Sequence, residues 1–255
     1  MKLFKRTTIF LIIFIALVWS LLFVWVYYPL ENVRVSSVEK QQVSYLLDKY
    51  NVIIPDGVLE TKIKAVKTPK VTYLAKNKEL FDKAQKKGKL QPLGENTYEY
   101  DGGTLTVENN TVILEGESKL IEKNTTQTAL GNSRKLISWM GLESENMISA
   151  VYERQDGILV TYTPEYKGKS VIDCKISVMM YGAKRYKVTA VPVKLVDTGQ
   201  KELPVSVCAA LADFAMLDTS NGADVSSVSL CYKLNGEYLT PVWEIKTEDE
   251  EIYYN

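Results

Sequence analysis

The chain of 255 residues balances 31 basic against 31 acidic side chains and contains no histidine. Charge balance argues against a nucleic-acid partner, and the missing histidine removes the usual general base, the usual partner of a serine or cysteine nucleophile, and the commonest zinc ligand. Three widely spaced cysteines, Cys174, Cys208 and Cys231, are an odd set with no C-x-x-C pair and give no support to a disulfide scaffold.

The first predicted element decides where the rest of the chain lives. Residues 1–6 carry Lys2, Lys5 and Arg6 and read as a short cytoplasmic tail. The 22 residues Thr7–Tyr28 carry no charge. About 20 apolar residues, rising about 1.5 Å each, cross a hydrocarbon core of about 30 Å. The segment ends in Trp25, Tyr27 and Tyr28, rings suited to the headgroup layer, before Pro29 stops the helix. A transmembrane helix over 7–28 is therefore predicted. The positive tail keeps the N-terminus cytoplasmic, so the protein sits in the cell membrane as a single-pass chain with its bulk outside. A cleaved signal peptide is the rival reading. Its apolar region would be about 7–15 residues long, and Val26-Tyr27-Tyr28-Pro29-Leu30 offers no small-x-small cleavage site. Ala16 and Ser20, four residues apart, make a small-xxx-small face for a second helix, with Trp19 beside them. Beyond the anchor, 28 basic and 31 acidic residues leave a net charge of −3, which gives no sign of an anionic-lipid partner.

Residues 29–35 form a juxtamembrane linker, and a first lobe is expected over 36–120. Ser36 and Glu39 make an S-x-x-E capping box, and Val43, Leu46, Leu47 and Tyr50 follow a helical stripe until Pro55-Asp56-Gly57 breaks it. A strand from Lys70 to Ala75 precedes a short helix that Asn77 caps and Gly88 closes. TYEY, TLTVE and TVILEG then form a meander through turns at Asp101-Gly102 and Asn109-Asn110, because primed turns need positive φ at both central residues.

The second lobe is expected over 121–255. It opens with a helix at about 125–140 whose inner face holds Ala129, Leu136, Ile137 and Met140. Strands follow at about 148–154 and 158–164 around Asp156-Gly157, then longer ones at about 170–181 and 184–196 joined at Tyr181-Gly182. Cys174 alternates with Ile172, Ile176 and Val178 and reads as core. Pro204 starts a helix to about Leu217, apolar nearly all round, that holds Cys208. A hairpin through Asn235-Gly236 and a short strand at Ile252–Tyr254 close the chain, with Cys231 facing away from Val228, Leu230 and Tyr232. A Cys208–Cys231 bridge is conceivable, but buried free thiols are the plainer reading. The fold class is α+β: one N-terminal transmembrane helix, then two small lobes, each a helix plus antiparallel sheet.

Motifs that carry chemistry are missing. The chain has no G-x-S-x-G, no phosphate-binding loop, no dinucleotide fingerprint and no H-E-x-x-H, so no catalytic, cofactor or metal residues are assigned. The acidic run Glu248–Glu251 reads as a solvated turn, since calcium loops space their ligands at alternate positions. Asp213 reads as the exposed edge of its helix, with a functional role as the alternative. Asn109 and Asn124 fit a glycosylation pattern that recurs by chance.

Three features together carry a family resemblance. One is the ending Tyr238-Leu239-Thr240-Pro241-Val242-Trp243-Glu244-Ile245, followed by acidic residues and Ile252-Tyr253-Tyr254-Asn255. The second is the post-membrane stretch VEKQQVSYLLDKYNVIIPDGV. The third is a single anchor followed by some 225 residues. They resemble the YycI/YycH group, membrane-anchored accessory proteins of the two-component system controlling cell-wall metabolism in low-GC Gram-positive bacteria, with YycI nearest in size. The resemblance implies two related α+β lobes outside the membrane and a membrane helix that docks beside those of a sensor histidine kinase. It also implies a paralogous YycH-like protein as a further partner. It brings no active-site residues and no cofactor, and it makes Pro241, Trp243 and Ile245 structural residues of the closing strand. The leading expectation is thus a non-enzymatic kinase regulator. The alternative is a PepSY-like extracellular module that tethers a peptidase or a cell-wall component. An enzyme of wall metabolism is a weak third without histidine or a nucleophile motif. No small-molecule ligand is implied.

Overall fold

The computed structural model describes residues 14–22, 32–33, 35–76, 90–100, 103–118, 125–142, 146–182, 184–248 and 251–254. The first helix, α1, is described over residues 14–22. Next, β1 (Asn32–Val33) pairs antiparallel with β2 (Ile63–Lys64), setting Asn32 opposite Lys64. Between them runs α2 (Ser37–Lys49), whose N-cap Ser36 accepts a bond from Glu39 N–H at 3.1 Å. Then come β3 (Val66–Lys67) and β4 (Lys70–Tyr73), followed by a 3₁₀ turn at Leu74–Lys76.

The meander begins one strand earlier than its alternation suggested. β5 (Leu90–Pro92) pairs with β6 (Thr97–Tyr100), which leads to β7 (Gly103–Glu108) and β8 (Thr111–Glu117). Asn109 and Asn110 have φ of 47° and 72°, the left-handed pair that a tight primed turn requires. The helix expected at 77–88 and the turn at 101–102 lie outside the described residues.

α3 (Thr126–Met140) starts at a full capping box between Thr125 and Thr128 and ends at Gly141, φ 73°. β9 (Met147–Arg154) and β10 (Gly157–Tyr166) follow, then β11 (Lys169–Ser170), β12 (Ile176–Tyr181), β13 (Arg185–Ala190) and β14 (Val193–Val196). The two long strands expected here are interrupted. Ile172–Cys174 is a 3₁₀ turn, though Ile172 and Cys174 are buried as expected. Pro192, which has no N–H to give a ladder, separates β13 from β14. The chain closes with β15 (Lys201–Glu202), α4 (Val207–Ala215), β16 (Val225–Asn235), β17 (Tyr238–Thr247) and β18 (Glu251–Tyr254). α4 begins at Val207 and not at Pro204, because Ser206 is the residue that caps Ala209 N–H, at 3.0 Å.

The chain divides into two compact units, and the division does not follow chain order. A terminal unit gathers 1–67, 201–230 and 241–255; a central unit gathers 68–200 and 231–240. The central unit holds a nine-stranded antiparallel sheet in the order β11-β10-β12-β13-β8-β7-β6-β5, with β9 on β10. The boundary expected at 120 falls inside this sheet. β8 pairs with β13 from Glu117 opposite Arg185 to Val112 opposite Ala190. Each strand buries alternate apolar residues, Val112 and Leu114 on one, Tyr186 and Val188 on the other, so each completes the other's core face. α3 covers β9 and β10 with Ala129, Leu136, Ile137 and Met140, all four buried.

In the terminal unit α2 packs on α4. Val43 and Leu47 meet a core of Val207, Leu211 and Phe214, to which the closing strand adds Trp243 and Ile245. α4 buries six of its nine residues, as a helix with one thin polar edge must.

Candidate functional site

Three places bear on function: the apolar helix, the closing strand, and a cavity within the central unit. In α1 every residue from 14 to 22 is exposed, including Phe14, Leu17, Leu21 and Trp19 at 70%. Ala16 and Ser20 lie one turn apart on the same face. The Ser20 hydroxyl donates to Leu17 C=O at 2.8 Å. A hydroxyl satisfied inside its own helix is one that hydrocarbon tolerates. The remainder of the segment 7–28 lies outside the described residues, among which no helix is long and apolar enough to cross a membrane.

Pro241, Trp243 and Ile245 are all buried in β17. Trp243 and Ile245 share one face, in the terminal core, and Trp243 Nε1–H donates to Val205 C=O at 2.8 Å. That bond lets a large indole be buried without stranding its single donor. On the opposite face Glu244 is buried too, accepting from Ser229 Oγ at 3.1 Å with Lys246 Nζ at 3.5 Å.

The tip of the β16–β17 hairpin belongs to the central unit. Leu234 N–H donates to Asp173 Oδ2 at 2.8 Å, Tyr73 OH to Gly236 C=O at 3.1 Å, and Lys70 pairs with Glu237 at 2.9 Å. Tyr166 and Tyr232 meet edge to face at 5.7 Å.

The cavity, of about 440 Å³, lies in the central unit. Its walls are mostly apolar, with Leu74, Leu142, Met147 and Ile176 among them, and Glu165 supplies a carboxylate. One wall is β14, which among the described residues pairs along one side only, with β4. Leu74 N–H bonds Pro192 C=O at 2.9 Å, so the residues that alternate with Pro192, Val193 and Leu195, turn their N–H and C=O groups away from β4. No motif marks these residues. Five separated stretches of chain meet here, and local pattern carries no signal of that meeting.

None of the three cysteines is in a disulfide, and all are buried. Cys174 borders the cavity, and burial together with the Asp173 charge pushes its thiol up to about 12. Burial likewise raises Cys208, and the neighbouring Glu39 charge adds to it. Such thiols stay protonated near neutral pH and are poor nucleophiles. Cys231 and its neighbour Tyr232 are both buried, so this part of β16 is covered on both faces and not on one. Asp213 is exposed, the plain reading of its place in the helix. Asn109 occupies the β7–β8 turn, while Asn124 and part of the acidic run at 248–251 lie outside the described residues. Among the described residues no group of three or more His, Cys, Asp or Glu side chains converges to hold a metal. A scan against protein-family models finds no matching family, and a search of curated proteins finds no matching relative.

Proposed function

We propose that this chain is a non-enzymatic, membrane-anchored regulator of a sensor histidine kinase in a cell-wall two-component system. The observation that carries the reading is the apolar stretch Thr7–Tyr28, whose described residues 14–22 form a helix exposed on every side. Such a helix gains most where lipid or another helix replaces water. In this reading residues 7–28 cross the cell membrane, the N-terminus is cytoplasmic, and the two α+β units stand outside as its lobes. The face of Ala16, Trp19 and Ser20 packs against the kinase's membrane helices, and a paralogous YycH-like protein is the second partner that the resemblance supplies. A helix that binds one kinase state better than the other shifts their balance by that difference in affinity and by no more. Replacing residues 7–28 with an unrelated membrane helix is expected to abolish kinase-dependent reporter output at unchanged protein level. Unchanged output would refute the helix-packing mechanism.

A second reading is favoured by the cavity. Its size falls in the range of ligand sites, and the outward backbone groups of Val193 and Leu195 beside it suit an added extended segment. A PepSY-like module tethering a peptidase or a wall component would use this place, and its function would survive the helix exchange.

A further inference from the structure

We propose that β14 takes an extended segment of a partner protein as an added antiparallel strand, one whose residues alternate apolar, acidic, apolar. The inference rests on the reading of the cavity as a binding place and names what that place holds.

Hydrogen bonding sets the first requirement. In an antiparallel pair, successive residues turn their N–H and C=O groups alternately toward the neighbouring strand and away from it. The bond from Leu74 N–H to Pro192 C=O at 2.9 Å fixes that alternation for β14. Lys194 therefore turns its backbone toward Thr72 of β4, while Val193 and Leu195 hold their N–H and C=O groups on the outer side. Among the described residues no strand pairs with that side. Donors and acceptors repeated at a two-residue spacing are matched by a second extended backbone, as in strand addition, and not by a compact ligand.

Packing sets the second. Val193 lies opposite Tyr73, and Leu195 lies opposite Val71, which is buried. The Val193 and Leu195 side chains thus share the inner face of this sheet. Both residues are half-buried, and both line the cavity of about 440 Å³ with Leu142, Met147 and Ile176. In an added antiparallel strand, the residues directly opposite Val193 and Leu195 put their side chains on that same face. Those two places call for apolar side chains. Glu165 in the cavity wall disfavours an acid there.

Charge sets the third. Lys194 projects from the other face, is exposed, and forms no ion pair among the described residues. The residue opposite it in an added strand makes a non-hydrogen-bonded pair, in which side chains come closest. An acid is attracted there and a base repelled. The same lysine argues against a second copy of this chain as the occupant. The register that pairs Val193 of one copy with Leu195 of the other sets Lys194 against Lys194. A lysine on an edge strand ordinarily does no more than keep like edges apart. Here the cavity beside it gives the edge something to select.

The test uses the full chain in detergent and a fluorescein-labelled peptide, SLELS with both ends capped, read by fluorescence anisotropy. The expected result is saturable binding that is lost when both leucines are N-methylated and kept when only the glutamate is. The reason is that the leucine N–H groups face β14 and the glutamate N–H does not. Lys194→Glu changes an exposed side chain and should weaken SLELS about threefold, while SLKLS gains by about the same factor. Binding that survives N-methylation of both leucines shows apolar groups entering the cavity with no added strand; it overturns the inference and leaves the cavity reading standing. No binding of SLELS at millimolar concentration also overturns it. The cavity reading is then decided separately, by whether a soluble wall enzyme or precursor co-purifies whichever membrane helix is present. Light scattering in the same detergent that shows the peptide releasing a dimer makes a second copy the occupant and likewise overturns the inference.

Discussion

Trp243 concentrates much of what the closing strand contributes. It fills the terminal core and gives its one polar hydrogen to Val205 C=O. Trp243→Phe should cost about 1 kcal/mol, mainly by removing that hydrogen bond. Trp243→Ala should cost about 3–5 kcal/mol through the cavity it leaves, and urea unfolding would read both. Gly157 is constrained for another reason: a Cβ there would lie 2.1 Å from Met180 C=O, so Gly157→Ala must push β10 away from β12. Buried acids give a pH signature. Cys174 and Tyr232 are each raised to about 12, mainly by burial, from ordinary values of 9.0 and 10.0. The unfolded chain therefore loses these protons first, and stability falls as pH rises between about 9 and 12. Cys174→Ala should remove the earlier part of that fall, while Tyr232 keeps the later part. A slope unchanged by the substitution would show that Cys174 does not contribute.

At the level of elements, the starts of α2 and α4 are tied together. Ser36 caps α2 through Glu39 N–H, but the Glu39 carboxylate bonds the Ser206 hydroxyl, which caps α4 in turn. Ser206→Ala removes a cap and a partner at once and should cost about 1–2 kcal/mol. A cycle with Glu39→Gln should show coupling between the two positions; additive effects would mean the helix starts act independently. This link also marks how far the sequence could be read. Ser36-x-x-Glu39 announced the helix correctly, yet the pattern cannot tell a carboxylate that returns to its own cap from one that finds a residue 167 positions away. The β7–β8 turn, the α3 face and the alternation of β12 were all legible, because each depends on residues within one or two turns of chain. The joining of β8 to β13 was not legible, and neither were the walls of the cavity. They depend on which apolar edges meet, and many strand pairs satisfy the same local alternation. Pro192 was a visible stop inside an expected strand, and it was the one local sign that β14 would leave its neighbour.

For the whole molecule, the two units combine distant stretches: the terminal unit joins the first 67 residues to parts of the last 55, while the central unit is nearly continuous. Ends held together in this way place residues 35–67 in the same unit as Trp243 and Ile245 of the closing strand. A change at Trp243 should therefore be felt throughout the terminal unit, and limited proteolysis of Trp243→Ala should cut first within 35–67 and 201–230. The central claim is that residues 7–28 bind a kinase and do more than tether. Affinity purification from detergent-solubilised native membranes, comparing the full chain with one carrying an unrelated membrane helix, tests it most directly. The account predicts that a histidine kinase co-purifies with the first and is lost from the second. No kinase with either, together with a soluble wall enzyme or precursor held by both, would contradict it.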